Sequence, residues 1–137
     1  MATVINGENL VLGRMASQVA KRLLNGEEIH IVNAEKVVIT GTRDSILDQW
    51  NFKRDVGTRR KGPYYPRTPH MIVKRTVRGM VGHRWPRGRA AYHRLKVWIG
   101  VPDELANEPL TTLEKASTRT TRYMTVGALA KDLGAQF

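Results

Sequence analysis

One amphipathic segment near the amino end constrains the fold of this chain more than any other feature. In "LGRMASQVAKRLLNG", apolar side chains recur at steps of three and four, at Leu12, Met15, Ala16, Val19, Ala20 and Leu23. This spacing places them on one face of an α-helix and the intervening polar side chains on the other. Gly26 is a typical stop signal. We therefore expect a helix that ends before Gly26 and buries one face in a core.

Short runs of β-branched residues flank this helix. "TVIN" precedes it, and "IHIVN" and "KVVIT" follow it, separated by "NAEK". Nearly continuous apolar runs beside an amphipathic helix are typical of buried strands covered by helices. The sequence therefore predicts an α/β fold, a three-layer α/β/α arrangement with a small, mainly parallel sheet and a basic loop-helix extension. A length of 137 residues suits a single domain, 1–137, with its own core.

Three other segments complete the pattern. "GTRDSILDQWNFKR" predicts a second helix, whose inner face would consist of Ile46, Leu47 and Trp50. "KVWIGV" is predicted to be the last strand. "TVGALAKDLG" predicts a short final helix capped by Thr125, with Leu129 and Leu133 inward and Gly134 behind it.

Charge is concentrated in the middle of the chain. Residues 51–96, here called the cationic block, contain 14 Lys and Arg against the single Asp55, a local net charge of +13. The rest of the chain has 9 basic and 11 acidic side chains, a net of −2, which accounts for the overall +11. Such a block repels itself when the chain compacts, and a polyanion relieves that repulsion with release of counterions. Ten of the 14 are Arg, whose planar fork suits phosphate, so nucleic acid is the predicted partner.

The cationic block divides into a loop and two helices. Residues 56–69, "VGTRRKGPYYPRTP", contain two Gly and three Pro without periodicity, which predicts a long loop of the kind that is usually functional or disordered. Thr68 and Pro69 form a typical helix opening, with the threonine hydroxyl as the cap. The apolar face of this helix would consist of Ile72 or Val73, Val77 and Met80, opposite Lys74, Arg75 and Arg78.

After Trp85 and Pro86, "RGRAAYHRL" predicts the second helix of the block. Its inward residues would be Ala91 and Leu95, and Arg87 and Arg94 would share one outer stripe.

The cationic and aromatic side chains of the block are the predicted RNA contacts, because Arg and Lys bind phosphates and rings stack on unpaired bases. They are Lys53, Arg54, Arg59, Arg60, Lys61, Tyr64, Tyr65, Arg67, Lys74, Arg75, Arg78, His83, Arg84, Trp85, Arg87, Arg89, His93, Arg94 and Lys96. Trp50 and Trp98 fall where core residues are expected, which leaves Trp85 as the tryptophan that contacts RNA.

No enzymatic pattern competes with this interpretation. The chain has no Cys, "NGENLVLGR" lacks the spacing of a P-loop, and the four His have no metal-ligand spacing. We therefore predict no catalytic residue, cofactor, metal or small-molecule substrate, and no membrane association, since no apolar run is long enough to span one. Two alternatives stay open, a nucleic-acid-modifying enzyme with Asp44 and Asp48 as metal ligands and a DNA-compacting or regulatory protein.

Three segments, "GRMASQVAKRLLNG", "IVNAEKVVITG" and "RTVRGMVGHRWPRGRAAYHRLKVWIGVP", resemble the family of large-subunit ribosomal protein thirteen, in order and over nearly the whole chain. "GPYYPRTP" and "RGRAAYHRLKV" resemble its archaeal and eukaryotic branch, and the short length resembles its archaeal members. The resemblance implies a compact α/β/α domain without enzymatic activity that binds large-subunit ribosomal RNA. It also implies neighbouring large-subunit proteins as partners, a role in subunit assembly, and a cytoplasmic location in the ribosome.

The family's motif positions can be matched residue by residue. They are Gly13 and Arg14, Asn33 to Lys36, Gly41, Arg78, Gly79 and Met80, Arg87, Gly88, Arg94, Leu95 and Lys96. Where the family commonly has Leu-Pro after Met80, this chain has Val81 and Gly82, which predicts a looser turn toward His83.

We expect replacement of Arg78 and Arg94 by Ala to weaken RNA binding without unfolding the protein.

Overall fold

The computed structural model describes residues 2–55, 66–113, 116–117 and 122–135. The elements in chain order are β1 Ala2–Asn6, α1 Leu12–Leu24, β2 Glu28–Val32, β3 Val38–Thr40, α2 Arg43–Asp55, α3 Pro69–Val81, α4 Pro86–His93, β4 Leu95–Val97, β5 Tyr123–Thr125 and α5 Val126–Asp132. Short 3-10 turns lie at Ala34–Lys36 and Asp103–Leu105. Within the described ranges, no helix is long and apolar enough to cross a membrane.

Helix α1 forms where the apolar spacing predicts it. Its buried residues are Leu12, Met15, Ala16, Val19, Ala20 and Leu23, the predicted inner face. Gly26 has a φ of +100°, in the left-handed region that glycine adopts without strain. It directly follows the C-cap Asn25, so the predicted stop signal ends the helix.

The main sheet is parallel, with strand order β1-β2-β4. Ile31 of β2 pairs with Ile5 on one side and Val97 on the other, and all three belong to the hydrophobic core. Because side chains alternate along a strand, His30 and Lys96, which also pair, face the opposite side of the sheet. The predicted α/β class with a small, mainly parallel sheet is confirmed.

Strands β3 and β5 form a second, antiparallel sheet of two strands. Val38 pairs with Thr125, and Thr40 pairs with Tyr123. The prediction that "KVWIGV" holds the last strand is therefore wrong, although β4 overlaps that segment at Lys96 and Val97. Strand β5 has only three residues, and its partner lies more than 80 positions away in sequence. Because strand formation depends on the neighbouring strand, the local sequence of β5 does not predict it.

The predicted inner faces of α2 and α5 are buried with one partial exception. Ile46 and Trp50 are buried, while Leu47 is half-buried against the core. Leu129 and Leu133 are buried below α5. The Thr125 hydroxyl accepts a hydrogen bond of 3.2 Å from the Ala128 N–H, which confirms the predicted cap.

Helix α3 begins at Pro69, as predicted, but two details differ. Thr68 occupies the N-cap position without a side-chain capping hydrogen bond, so the prediction of a hydroxyl cap is wrong. Met80 is 43% exposed, so its assignment to the core is also wrong. The helix continues to Val81, which is four residues after the buried Val77 and takes the last core position.

Helix α4 is shorter than predicted. It ends at His93, and Leu95 is buried from strand β4 rather than from the helix. Ala91 is buried as predicted. The inward positions are therefore correct, but the backbone changes from helix to strand between them.

Candidate nucleic-acid interface

The carboxyl end of α3 and the first turn of α4 are held together by a contact that requires glycine. A Cβ atom added at Gly88 would lie 2.0 Å from the Gly82 carbonyl oxygen and 2.6 Å from that of Val81, far below van der Waals distance. Both neighbours are backbone atoms, which cannot turn aside as a side chain can. Gly88 is thus the position at which α4 crosses the end of α3.

Gly82 closes the turn between these helices. It is the C-cap of α3 with a φ of +76°, and its carbonyl oxygen accepts a hydrogen bond of 3.1 Å from the Trp85 N–H. The turn is therefore tight rather than loose, contrary to the expectation from Val81 and Gly82. A proline at position 82 could not adopt this φ, since its ring holds φ near −65°.

Basic side chains converge around this turn. A cavity of about 300 Å³, here called the arginine pocket, is lined by Arg75, Arg78, Gly79, Gly82, His83, Arg84 and Trp85. No carboxylate is among these lining residues, so the pocket is suited to an anion. The Trp85 side chain is 71% exposed, as expected for a contact residue rather than a core residue.

Burial and neighbouring charge both act on His83. Partial burial, followed by the positive charges of Arg78, Arg89 and Arg75, lowers the pKa of His83 from its usual 6.5. The lowered pKa favours the neutral imidazole at pH 7. It packs edge-on against Tyr92, with ring centroids 5.4 Å apart.

Tyr92 links the pocket to the outer face of α3. The Lys74 Nζ lies 4.9 Å from the centre of the Tyr92 ring, within range of a cation–π interaction. Burial raises the pKa of the Tyr92 hydroxyl, so it stays protonated at neutral pH. Lys74, Tyr92 and His83 thus form a continuous series of side-chain contacts beside the pocket.

Two of the predicted RNA-contact arginines bind the protein itself. The Arg94 guanidinium donates a hydrogen bond to the Leu23 carbonyl, and Arg87 donates to the Leu24 carbonyl at 3.4 Å. These carbonyls lie in the last turn of α1, where backbone acceptors lack helical partners and cations are favoured. Arg94, which is half-buried, is therefore a capping residue for α1. Its replacement is expected to affect stability as well as any RNA contact, contrary to the expectation from the sequence.

Lys53 lies at a second cavity. Its Nζ is 4.4 Å from the centre of the Trp50 ring, and both residues line a cavity of about 480 Å³. Arg14 and Thr76 line the same cavity, so α3 contributes residues to both cavities. Arg14 was not among the predicted contact residues, and its place among the matched family positions was the available signal.

Other predicted contact residues lie apart from the arginine pocket or at its margin. Lys96 is exposed on the face of the sheet opposite the core. The Arg67 guanidinium lies near Gly134, at the carboxyl end of α5. Arg89 and His93 are exposed on α4, close enough to His83 for their charges to lower its pKa.

Six predicted contact residues lie outside the described part of the chain. They are Arg59, Arg60, Lys61, Tyr64 and Tyr65, together with the side chain of Arg54. Most of the predicted loop, residues 56–65, lies outside it as well.

The proposed carboxylate pair, Asp44 and Asp48, is exposed on α2. Among the described residues, no three His, Cys, Asp or Glu side chains form a group that could hold a metal ion.

Comparison with known proteins identifies close relatives. The model of the family described as Ribosomal protein L13 matches residues 1–104. Large ribosomal subunit protein uL13 of Methanosphaera stadtmanae is 48% identical over 142 residues, covering 100% of both chains. The protein of the same name from Methanocaldococcus jannaschii is 48% identical over 98% of this chain and 99% of its own. That of Methanococcoides burtonii is 45% identical over 98% and 99%.

Proposed function

The chain belongs to the ribosomal protein L13 family, in its archaeal branch, and from this premise we propose that it binds and stabilises large-subunit ribosomal RNA and takes part in subunit assembly. It is a structural constituent of the large ribosomal subunit and not an enzyme, and it lies with the ribosome in the cytoplasm. Membership of this family removes the alternative of a nucleic-acid-modifying enzyme.

The observation that carries the RNA-binding proposal is the convergence of charge at the arginine pocket. Three arginines of the cationic block line one small cavity without a carboxylate, although they are spread over ten positions of sequence. Folded RNA brings many phosphates close together, and a cationic surface neutralises them with release of counterions. The protein would thereby favour one arrangement of neighbouring RNA segments.

Rigid packing supports this role. The Gly88 contact fixes α4 on α3, and the hydrogen bonds of Arg87 and Arg94 fix the two ends of α4 on α1. Phosphate contacts fix the register and orientation of a nucleic acid and do not read its base sequence, so arginines on fixed helices would favour one arrangement of the RNA. The charged side chains of α3 and α4 would form the centre of the contact surface.

We further propose that residues 51–96 are the RNA-contact region of a single domain, 1–137. The side chains assigned to it are those predicted from the sequence, with Arg87 and Arg94 also acting as supports. Neighbouring large-subunit proteins are the expected protein partners, by membership of the family.

Sedimentation of the native protein tests the proposal. Lysate is fractionated before and after RNase treatment and across a series of salt concentrations. The protein should migrate with the large subunit, persist there at moderate salt and leave it after RNase digestion. Free migration at low salt would contradict a ribosomal role. Unchanged migration after complete RNase digestion would contradict an RNA-mediated one.

A further inference from the structure

We propose that the arginine pocket receives one unpaired nucleotide of RNA, whose base stacks on the Trp85 ring and whose phosphate is bound by the surrounding arginines. This inference rests on the proposed function, because RNA supplies the nucleotide. It goes further by naming the kind of RNA feature that the site recognises.

Trp85 differs from the other two tryptophans in its surroundings. Trp50 is buried, and the Trp98 indole N–H donates a hydrogen bond of 3.2 Å to His30 Nδ1. Trp85 is the most exposed of the large apolar side chains in the described residues, at 71%. An indole left in water at the rim of a cavity offers a large surface for a flat apolar partner.

The structure also fixes where this ring is presented. The Trp85 N–H donates to the Gly82 carbonyl, and the Trp85 carbonyl accepts from the Arg89 N–H at 3.0 Å. The edge of the indole lies against Gly82, with Cδ1 3.6 Å from the place where a Cβ would be. The backbone that carries this ring is therefore held by hydrogen bonds at both its N–H and its carbonyl group.

The charges beside Trp85 supply the second half of a nucleotide site. Arg75, Arg78 and Arg84 line the same cavity, and arginine is the side chain best suited to paired hydrogen bonds with phosphate. The volume of about 300 Å³ is at the small end of ligand sites, which suits one nucleotide rather than a longer segment. The pKa of His83, which is lowered first by burial and then by the charges of Arg78, Arg89 and Arg75, agrees with this concentration of positive charge.

The combination favours an unpaired nucleotide over a duplex. Within a helix, the faces of a base are covered by its neighbours, so a protein ring cannot stack on them. A bulged or looped base has a free face, and aromatic rings stack on such bases in single-stranded RNA. A duplex would contact the arginines through phosphates alone and leave the Trp85 ring in water.

The first test compares binding of purified large-subunit ribosomal RNA, at one salt concentration, by the wild type, Trp85→Ala and Trp85→Phe. The alanine variant should bind about 5-fold to 150-fold more weakly, the range for loss of one base–aromatic stack. The phenylalanine variant keeps a ring and should lose much less. Tyr123→Ala is the matched control, since this tyrosine is 47% exposed beside Arg43 and Lys131, at a different cavity. It should bind like the wild type.

Two readouts separate stacking from a general loss of structure. Indole emission of the wild type should be quenched by the RNA, and Trp85→Phe should bind without that change. A hairpin with one bulged nucleotide should bind the wild type more tightly than the same hairpin fully paired. Trp85→Ala should not distinguish the two hairpins. Because the ring is mostly in solvent, the urea midpoint of Trp85→Ala should match that of the wild type.

The outcomes distinguish this inference from the proposed function. If the wild type binds ribosomal RNA but Trp85→Ala binds it equally well, or if both hairpins bind the wild type equally, the inference is overturned and the proposed function stands. If the wild type fails to bind ribosomal RNA at all, the inference and the proposed function are both contradicted. The last experiment measures indole emission with adenosine monophosphate alone. If this nucleotide quenches the emission and ribosomal RNA does not displace it, the pocket binds a free nucleotide, and the inference that RNA supplies the nucleotide is overturned.

Discussion

At the scale of single residues, the arginines of the cationic block divide between two roles. Arg75, Arg78 and Arg84 line the arginine pocket, whereas Arg87 and Arg94 donate to carbonyls at the end of α1. Arg94 and its acceptor Leu23 are 71 positions apart in sequence. Nothing in the local pattern around Arg94 distinguishes it from an arginine that faces solvent.

Replacement of Arg94 by Ala should lower the free energy of unfolding by about 1–3 kcal/mol, because the Leu23 carbonyl loses a charged donor in a half-buried place. Urea denaturation monitored by circular dichroism measures this change. Arg89→Ala removes the same charge from an exposed position on α4 and should change stability by about 0.5 kcal/mol or less. Equal urea midpoints for Arg94→Ala and the wild type would show that the capping hydrogen bond contributes nothing.

At the scale of secondary-structure elements, the packing of α4 on α3 depends on the absence of one side chain. Gly88 lies against the backbone of Val81 and Gly82, and the same turn carries His83, Arg84 and Trp85. Closeness of the two helices therefore determines the shape of the arginine pocket. A change that separates them would affect stability and the pocket together.

Gly88→Ala should destabilise the protein by about 1–3 kcal/mol or more, since its Cβ would overlap backbone atoms that must shift. Gly13→Ala is the matched control. Gly13 is exposed within α1 and has open space around an added Cβ, so Ala there should stabilise the helix by about 0.5–1 kcal/mol. Urea midpoints of the two variants should thus move in opposite directions. A Gly88→Ala protein as stable as the wild type would contradict the close contact.

Elements differ in how well their sequences predict them. Helices α1 and α5 carry a complete local signal, with an apolar face and a following glycine at positive φ. Strand β5 does not, because three residues form a strand only through pairing with β3. Met80 fits the helical period of α3 but lies beyond the core, because Val81 fills the position next to the other helices.

At the scale of the whole molecule, charge is separated rather than spread. The cationic block has a net charge of +13 and the remainder −2. The ion pairs Arg22–Glu27 and Arg43–Asp132 both lie outside the block. The high net charge of the block favours binding of an external polyanion, and binding should depend steeply on salt.

Replacement of both Arg78 and Arg89 by Ala should reduce the slope of log affinity for ribosomal RNA against log salt by about 1.4–1.8, at about 0.7–0.9 for each lost phosphate contact. A pair that includes Arg94 would also remove the hydrogen bond from Arg94 to the Leu23 carbonyl, so Arg78 and Arg89 are the better choice. Filter binding across a salt series measures the slope. A variant with Lys21 and Lys131 replaced by Ala has the same net charge, altered outside the block, and should keep the wild-type slope. Equal slopes for both double variants would mean that only net charge matters.

Properties that depend on short stretches of chain could be predicted from the amino-acid sequence. The position of α1, the α/β class and the cationic block all follow from periodicity and local charge, which survive in any conformation of the neighbouring residues.

Properties that depend on distant contacts could not be predicted in this way. The division of the arginines between the pocket and the end of α1, the pairing of β3 with β5 and the crossing at Gly88 each involve residues brought together by folding. Their positions depend on which surfaces pack against one another, and that choice is made by the whole core rather than by any one segment.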